Sequence, residues 1–121
     1  MNNLVNEAIQ ITKELGDVIF IGALATYMHT KNTRDSRDID FVVENQIPDD
    51  ELISKNYHKS MTRKQPWFTP RGFKIDIYTR GIPGVSLDKI IENSKKFTIK
   101  NKGEIRVLGL ESLIIAKHKA A

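Results

Sequence analysis

Three aspartates in two short stretches are the residues of this sequence best suited to chemistry. "RDSRDIDFVV", residues 34–43, opens an otherwise apolar run with Asp38 and Asp40, and "FKIDIYTR", residues 73–80, carries Asp76. Side chains alternate along a strand, so Asp38 and Asp40 leave the same face with Cα atoms roughly 7 Å apart. Two carboxylates held together repel and raise each other's pKa, and the simplest neutraliser is a divalent cation. Oxygen ligands in a chain without cysteine suit magnesium or manganese. If the strand of Asp76 lies beside the first, three carboxylates could hold two ions roughly 3.5–4 Å apart, clamping the attacking and leaving oxygens of phosphoryl or nucleotidyl transfer. Asp76 would then also be placed to activate the attacking hydroxyl. Alone, each signal is ordinary: an Asp-x-Asp at a strand start is more often a solvated end, and a lone Asp in an alternating strand is usually its wet face. Their company lends them weight.

The elements that must position these residues are legible in the hydrophobic pattern. Leu4, Ala8, Ile11 and Leu15 recur at helical spacing, with Gly16 as a stop. Val18 to Ile21 form a short apolar run closed by Gly22, which predicts a buried strand, a glycine turn and then a helix over "ALATYMHT". Such a turn exposes backbone N–H groups and the positive helix end to a phosphate, although a plain tight turn needs the same glycine. After a polar loop, "DIDFVV" puts Ile39, Phe41 and Val43 on one face and Asp38, Asp40 and Val42 on the other.

Further along, Pro48 and the acidic residues after it predict a short helix, "YHKSM" a possible strand, and "QPWFTPRG" a short edge strand and a turn. "FKIDIYTR" alternates Phe73, Ile75 and Ile77 against Lys74, Asp76 and Tyr78 and is the clearest strand. "GIPGVS" reads as a loop and "LDKIIENS" as a helix capped by Ser86. "KFTIKNKGEIRVLG" reads as a hairpin turning at Asn101 to Gly103, and a final helix begins near Leu110. Helices interspersed with strands predict an α/β (α+β) domain with a mixed sheet flanked by helices.

With 121 residues, the working expectation is one domain over 1–121. Nineteen Lys and Arg against fifteen Asp and Glu leave a formal charge of +4, a mild bias toward polyanions such as nucleotides, tRNA or an acidic protein. Cysteine-based staples, zinc sites and nucleophiles are excluded. No stretch approaches the roughly 20 apolar residues of a membrane span and no secretory leader is evident, so a cytoplasmic protein away from membranes is expected.

"FIGALATYMHTKNTRDSRDIDFVV" together with "FKIDIYTR" resembles the nucleotidyltransferase superfamily related to DNA polymerase beta, particularly the small bacterial and archaeal branch similar to abortive-infection toxin nucleotidyltransferases. The resemblance implies the nucleotidyltransferase fold. Gly22 and Ala23 stand at the family's glycine pair, Arg34 and Ser36 at its Arg and Thr positions, Asp38 and Asp40 at its metal pair, and Asp76 at its third carboxylate. "IRVLGLESLIIAKHKAA" resembles the segment that brings a lysine to the triphosphate, here Lys117. By that resemblance Asp38, Asp40 and Asp76 are catalytic and bind Mg2+ or Mn2+. Gly22, Ala23, Arg34, Ser36 and Lys117 bind the NTP, with ATP the first choice. The implied acceptor is a hydroxyl of tRNA, protein or a small molecule. Two departures bear on function: Ala23 replaces the family's second Gly or Ser, and relatives usually continue into a helical extension beyond a chain of this length. These departures favour a second reading, a catalytically idle module that binds nucleotide or a protein partner, such as the mate in a toxin–antitoxin pair. Strong salt-sensitive RNA binding without magnesium or NTP would mark a third, a small RNA-binding domain.

Other residues carry less. His29, His58 and His118 lack metal spacing and are expected at the surface or behind a site. Ser36, Ser54, Ser60 and Ser112 have no nucleophile-elbow context. Trp67 and Phe68, between prolines, are expected to cover the sheet rather than stack on a base.

Overall fold

The computed structural model describes residues 2–31, 38–61, 66–112 and 114. Its first helix, α1 (Asn2–Leu15), buries Leu4, Val5, Ala8, Ile9 and Ile11, the stripe that the apolar spacing predicts. The Gly16 N–H closes it by donating to the Thr12 carbonyl at 2.9 Å. Strand β1 (Val18–Ile21) is buried along its whole length, and α2 (Gly22–Thr30) follows with no intervening loop. Then come β2 (Asp38–Val43), α3 (Asp49–Ser54), β3 (His58–Lys59), β4 (Trp67–Phe68) and β5 (Lys74–Tyr78). The short pair β6 (Gly81–Ile82) and β7 (Val85–Ser86) leads into α4 (Leu87–Glu92), and the hairpin β8 (Lys95–Ile99) and β9 (Gly103–Val107) completes the sheet. Helical backbone resumes at Leu110, as expected.

Seven strands form one mixed sheet in the order β3-β4-β5-β2-β1-β9-β8. β1 pairs antiparallel with β2 and parallel with β9, while β2 and β5 run parallel, in the centre of the sheet. The register Phe20↔Phe41↔Ile77 stacks large apolar side chains on one face, where the Phe20 and Phe41 rings meet edge to face at 5.8 Å. The other face is also apolar along part of its width, since Ile19, Ile21 and Val42 are buried there. Val85 and Ile90, from β7 and α4, belong to the same hydrophobic core. The fold is therefore a mixed α/β arrangement with α1 and α2 packed against the central strands.

Three sequence expectations are corrected. β4 is not an edge strand: it pairs with β5 on one side and with β3 on the other, so the outermost position falls to His58–Lys59. "YHKSM" contributes only those two residues to the sheet. "GIPGVS" is a small antiparallel hairpin rather than a loop, with Gly81 paired to Ser86. Gly81 is required there because a β-carbon would sit 2.7 Å from the Val85 carbonyl oxygen. Ser86 caps α4 as expected, its hydroxyl accepting from the Lys89 N–H at 3.4 Å.

Candidate functional site

The parallel pairing of β2 with β5 places Asp38 beside Lys74, Asp40 beside Asp76 and Val42 beside Tyr78. Residues opposite one another in a ladder share a face, so Asp38, Asp40, Lys74, Asp76 and Tyr78 form one polar patch on a sheet that is otherwise apolar at its centre. Asp40 is the most enclosed of the three aspartates, while Asp38 and Asp76 lie at the exposed rim.

The third side of Asp40 is formed by the end of β1. Ile21 pairs with Asp40, and Gly22 follows at a left-handed φ of +65°. A β-carbon on Gly22 would lie 2.9 Å from the Asp40 Oδ2. Glycine is thus required by its backbone conformation, and a β-carbon there would also push the Asp40 carboxylate aside. From Gly22 the chain enters α2, whose N-cap residue Ile21 offers its first turn no side-chain acceptor. The first amides of that helix, including those of Gly22 and Ala23, therefore have no side-chain cap and are suited to an anion.

Electrostatics single out Asp40. Burial, the neighbouring Asp76 charge, a hydrogen bond between the two carboxyls and the Asp38 charge together push its pKa up to about 6, with Lys74 opposing them. Burial and the charges of Asp40 and Asp76 also raise the Tyr78 phenol, which places that ring within their field. Among the described residues no three His, Cys, Asp or Glu side chains are drawn together as a ready ligand set; the close pair is Asp40 with Asp76.

The structure thus brings together four residues that the sequence singles out from separate segments: Gly22, Ala23, Asp40 and Asp76, with Asp38 adjoining. Arg34, Ser36 and Lys117 lie outside the described residues, as do Arg37 and His118. His29 has a structural role, its Nε2 bonding the Leu108 carbonyl oxygen at 2.7 Å and its ring meeting Phe97 edge-on. The His58 ring stacks on Phe68, and Trp67 packs against the core with Lys59 over its ring. Sequence reasoning assigned no role to Lys74 and Tyr78, although strand alternation already placed both on the face of Asp76.

A pocket of about 370 Å³ reaches Asp76 from the side of α3 and β4, bordered by Gln46, Leu52, Trp67 and Thr79. Its volume falls in the range of small-molecule sites. Compared with protein-family models, with curated proteins and with solved structures, the chain matches none.

Proposed function

We propose that this protein is a metal-dependent nucleotidyltransferase of the polymerase-beta-like fold, moving an NMP from an NTP, ATP first among them, to a hydroxyl acceptor. The observation that carries this reading is the in-register pair Asp40 and Asp76, held against Gly22, where the pKa of Asp40 stays raised despite Lys74. The donor set fits a hard divalent ion, because it is all oxygen and because a cation would offset the burial and the neighbouring carboxylate charge that together raise Asp40. Asp40 and Asp76 would hold Mg2+ or Mn2+, with Asp38 two residues along the same face, outside that close pair. Bound there, the ion would screen the triphosphate charge and stabilise the oxygens gaining charge during transfer.

The remaining steps belong to the chain. The uncapped first turn of α2, at Gly22 and Ala23, receives phosphate oxygens through its N–H groups. Arg34, Ser36 and Lys117 are assigned to the triphosphate by resemblance. The acceptor oxygen bonds to the α-phosphorus, its proton passes to Asp76, and the bond to the bridging oxygen breaks to release pyrophosphate.

The test is transfer of label from α-phosphate-labelled NTPs to cellular RNA, protein or small molecules with Mg2+ or Mn2+, alongside calorimetric titration of the nucleotide. Wild type should bind and transfer, whereas Asp38→Ala with Asp40→Ala should do neither. Turnover that survives in the variant would overturn the assignment; nucleotide binding without transfer to any acceptor would favour the idle binding module.

A further inference from the structure

We propose that the β8–β9 hairpin, with the helix surfaces beside its tip, is a docking surface for a single-stranded nucleic acid. The first observation is where the charge lies. Five of the 19 Lys and Arg but one of the 15 Asp and Glu fall within residues 95–106, so this segment carries the whole formal charge of +4 and the rest of the chain is neutral. Lys95, Lys96, Lys100 and Lys102 are exposed, and Arg106 lies opposite Lys96 in the ladder.

The second observation is a hollow at the hairpin tip. Lys102, Lys13 of α1 and Arg71 border a depression of about 540 Å³ whose lining includes the carboxamides of Asn6, Gln10 and Asn101. The Glu7 carboxylate that also borders it is engaged by Arg71 at 2.6 Å. On the far side of Lys102, a smaller hollow is edged by Lys31 at the end of α2.

Lysines along an outer strand keep a sheet edge from pairing with another chain, and this accounts for Lys95 and Lys96. It does not account for Lys13, Lys31 and Lys102, which come from two helices and a turn and meet around hollows. Cations that neutralise successive phosphates, beside a cavity of small-ligand size, suit a strand that lays its backbone on the hairpin and a nucleotide in the depression. Carboxamides offer both donors and acceptors, matching base edges and sugar hydroxyls. The Asn6 Oδ1 already accepts from Lys102 Nζ at 2.9 Å, which leaves Gln10 and Asn101 as the carboxamides for a base edge. Cations spread over a hairpin and two helices suit the evenly spaced charges of a phosphate backbone, and polyglutamate is the competitor that tests this choice.

This surface does not depend on the aspartate site, and its test uses neither NTP nor metal. Fluorescence anisotropy with a labelled single-stranded RNA, titrated between about 50 and 200 mM salt, should show binding that weakens steeply with salt. Lys100→Glu with Lys102→Glu should weaken binding by about tenfold and make the log–log salt slope shallower by about 1.4, the value for two lost phosphate contacts on a single strand. Lys100→Gln with Lys102→Gln should give a smaller loss of the same sign, and circular dichroism checks that each variant is folded. The matched reversal Lys59→Glu with Lys89→Glu, placed elsewhere, should change affinity by less than about threefold if binding is local to the hairpin. Absence of RNA binding at the lowest salt, equal losses in the two reversals, or polyglutamate binding as tightly as RNA would each overturn the proposal.

Discussion

Two carboxylate clusters in this molecule are built in opposite ways. Glu7 and Glu14, on one side of α1, meet Arg71 from the turn between β4 and β5. The guanidinium donates to Glu7 Oε1 at 2.6 Å and to both oxygens of Glu14 at 2.9 and 3.0 Å. Tyr57 adds a hydrogen bond to Glu14 at 2.7 Å, and the Lys55 ammonium bonds the Glu14 carbonyl. Burial alone would raise the Glu14 pKa, but the bonds from Arg71 and Tyr57 and the nearby cations hold it below the usual range. The same contacts raise Arg71, chiefly through its bond to Glu14. On β2 and β5, by contrast, Asp40 faces another carboxylate, and its pKa is pushed the other way. Negative charge met by a guanidinium acts as a clasp, although among the described residues the buried Glu7 Oε2 has no hydrogen-bond partner. On the proposed reading, negative charge beside like charge is where a metal ion would bind.

The sharpest way to break this contrast is to remove the Asp40 carboxylate. Asp40→Asn should lower NTP turnover by about a thousandfold or more, equivalent to about 4 kcal/mol of barrier. In metal-free buffer the same change should leave thermal stability unaltered or raise it, because a repulsion is lost. A thermal melt beside the label-transfer assay reads both, and parallel losses of stability and activity would mean that Asp40 is a structural residue like Glu14.

Removing the clasp should show the reverse pattern. Arg71→Ala leaves the Glu7 carboxylate, 3% exposed, without its guanidinium, and should cost about 2–3 kcal/mol in urea unfolding. Adding Glu7→Gln should recover part of that loss. Full stability in Arg71→Ala would show that the cluster holds nothing together.

Gly22→Ala tests the close approach at Asp40. A left-handed φ and a collision with the Asp40 carboxylate should cost about 1–2 kcal/mol, together with a loss of metal-dependent turnover. The combination Gly22→Ala with Asp40→Gly, which opens the space, should relieve the collision but not the cost of the left-handed φ, and should not regain activity.

The smallest effect is in pH, where the clusters should oppose one another. Asp40 is protonated in the fold up to about pH 6 but ionises near 3.8 when unfolded, so the metal-free fold should lose stability as pH rises through that window. Glu14 has a lowered pKa, so its contribution is present above about 4.5 and is lost as pH falls through the folded value. Mn2+ affinity should fall by up to about tenfold per unit below pH 6, where a proton competes with the ion for Asp40. Stability profiles of wild type and Asp40→Asn measure the first term. A decline from pH 4 to 6 that persists in the variant would assign it to another group.

Much of the fold was readable because the local pattern was unambiguous. The α1 stripe, the buried run before Gly22, the alternation around Asp76 and the turn at Asn101 each occur where the sequence predicts them. The readings failed where pairing partners decide. Pro66 and Pro70 suggested an edge for Trp67 and Phe68, yet two residues of β3 were enough to cover that strand. Gly81 and Gly84 suggested a loop, but cross-strand bonds over two residue pairs made a hairpin.

The sequence by itself determined which residues could share a face, because alternation along a strand is local: Asp38 with Asp40, and Lys74 with Asp76 and Tyr78. It also marked Gly22 as a turn and concentrated positive charge in residues 95–106. Tertiary structure alone decided that β5 lies parallel to β2 in the register that sets Asp40 against Asp76, and that Gly22 closes on the same carboxylate. It alone decided that Arg71 reaches Glu7 and Glu14 across the chain while Asp40 meets the Asp76 carboxyl, with Lys74 opposing the rise in its pKa. A one-residue change of register would have turned Asp76 to the opposite face, and nothing local to either strand forbids it; the choice is made by which faces the helices and neighbouring strands bury.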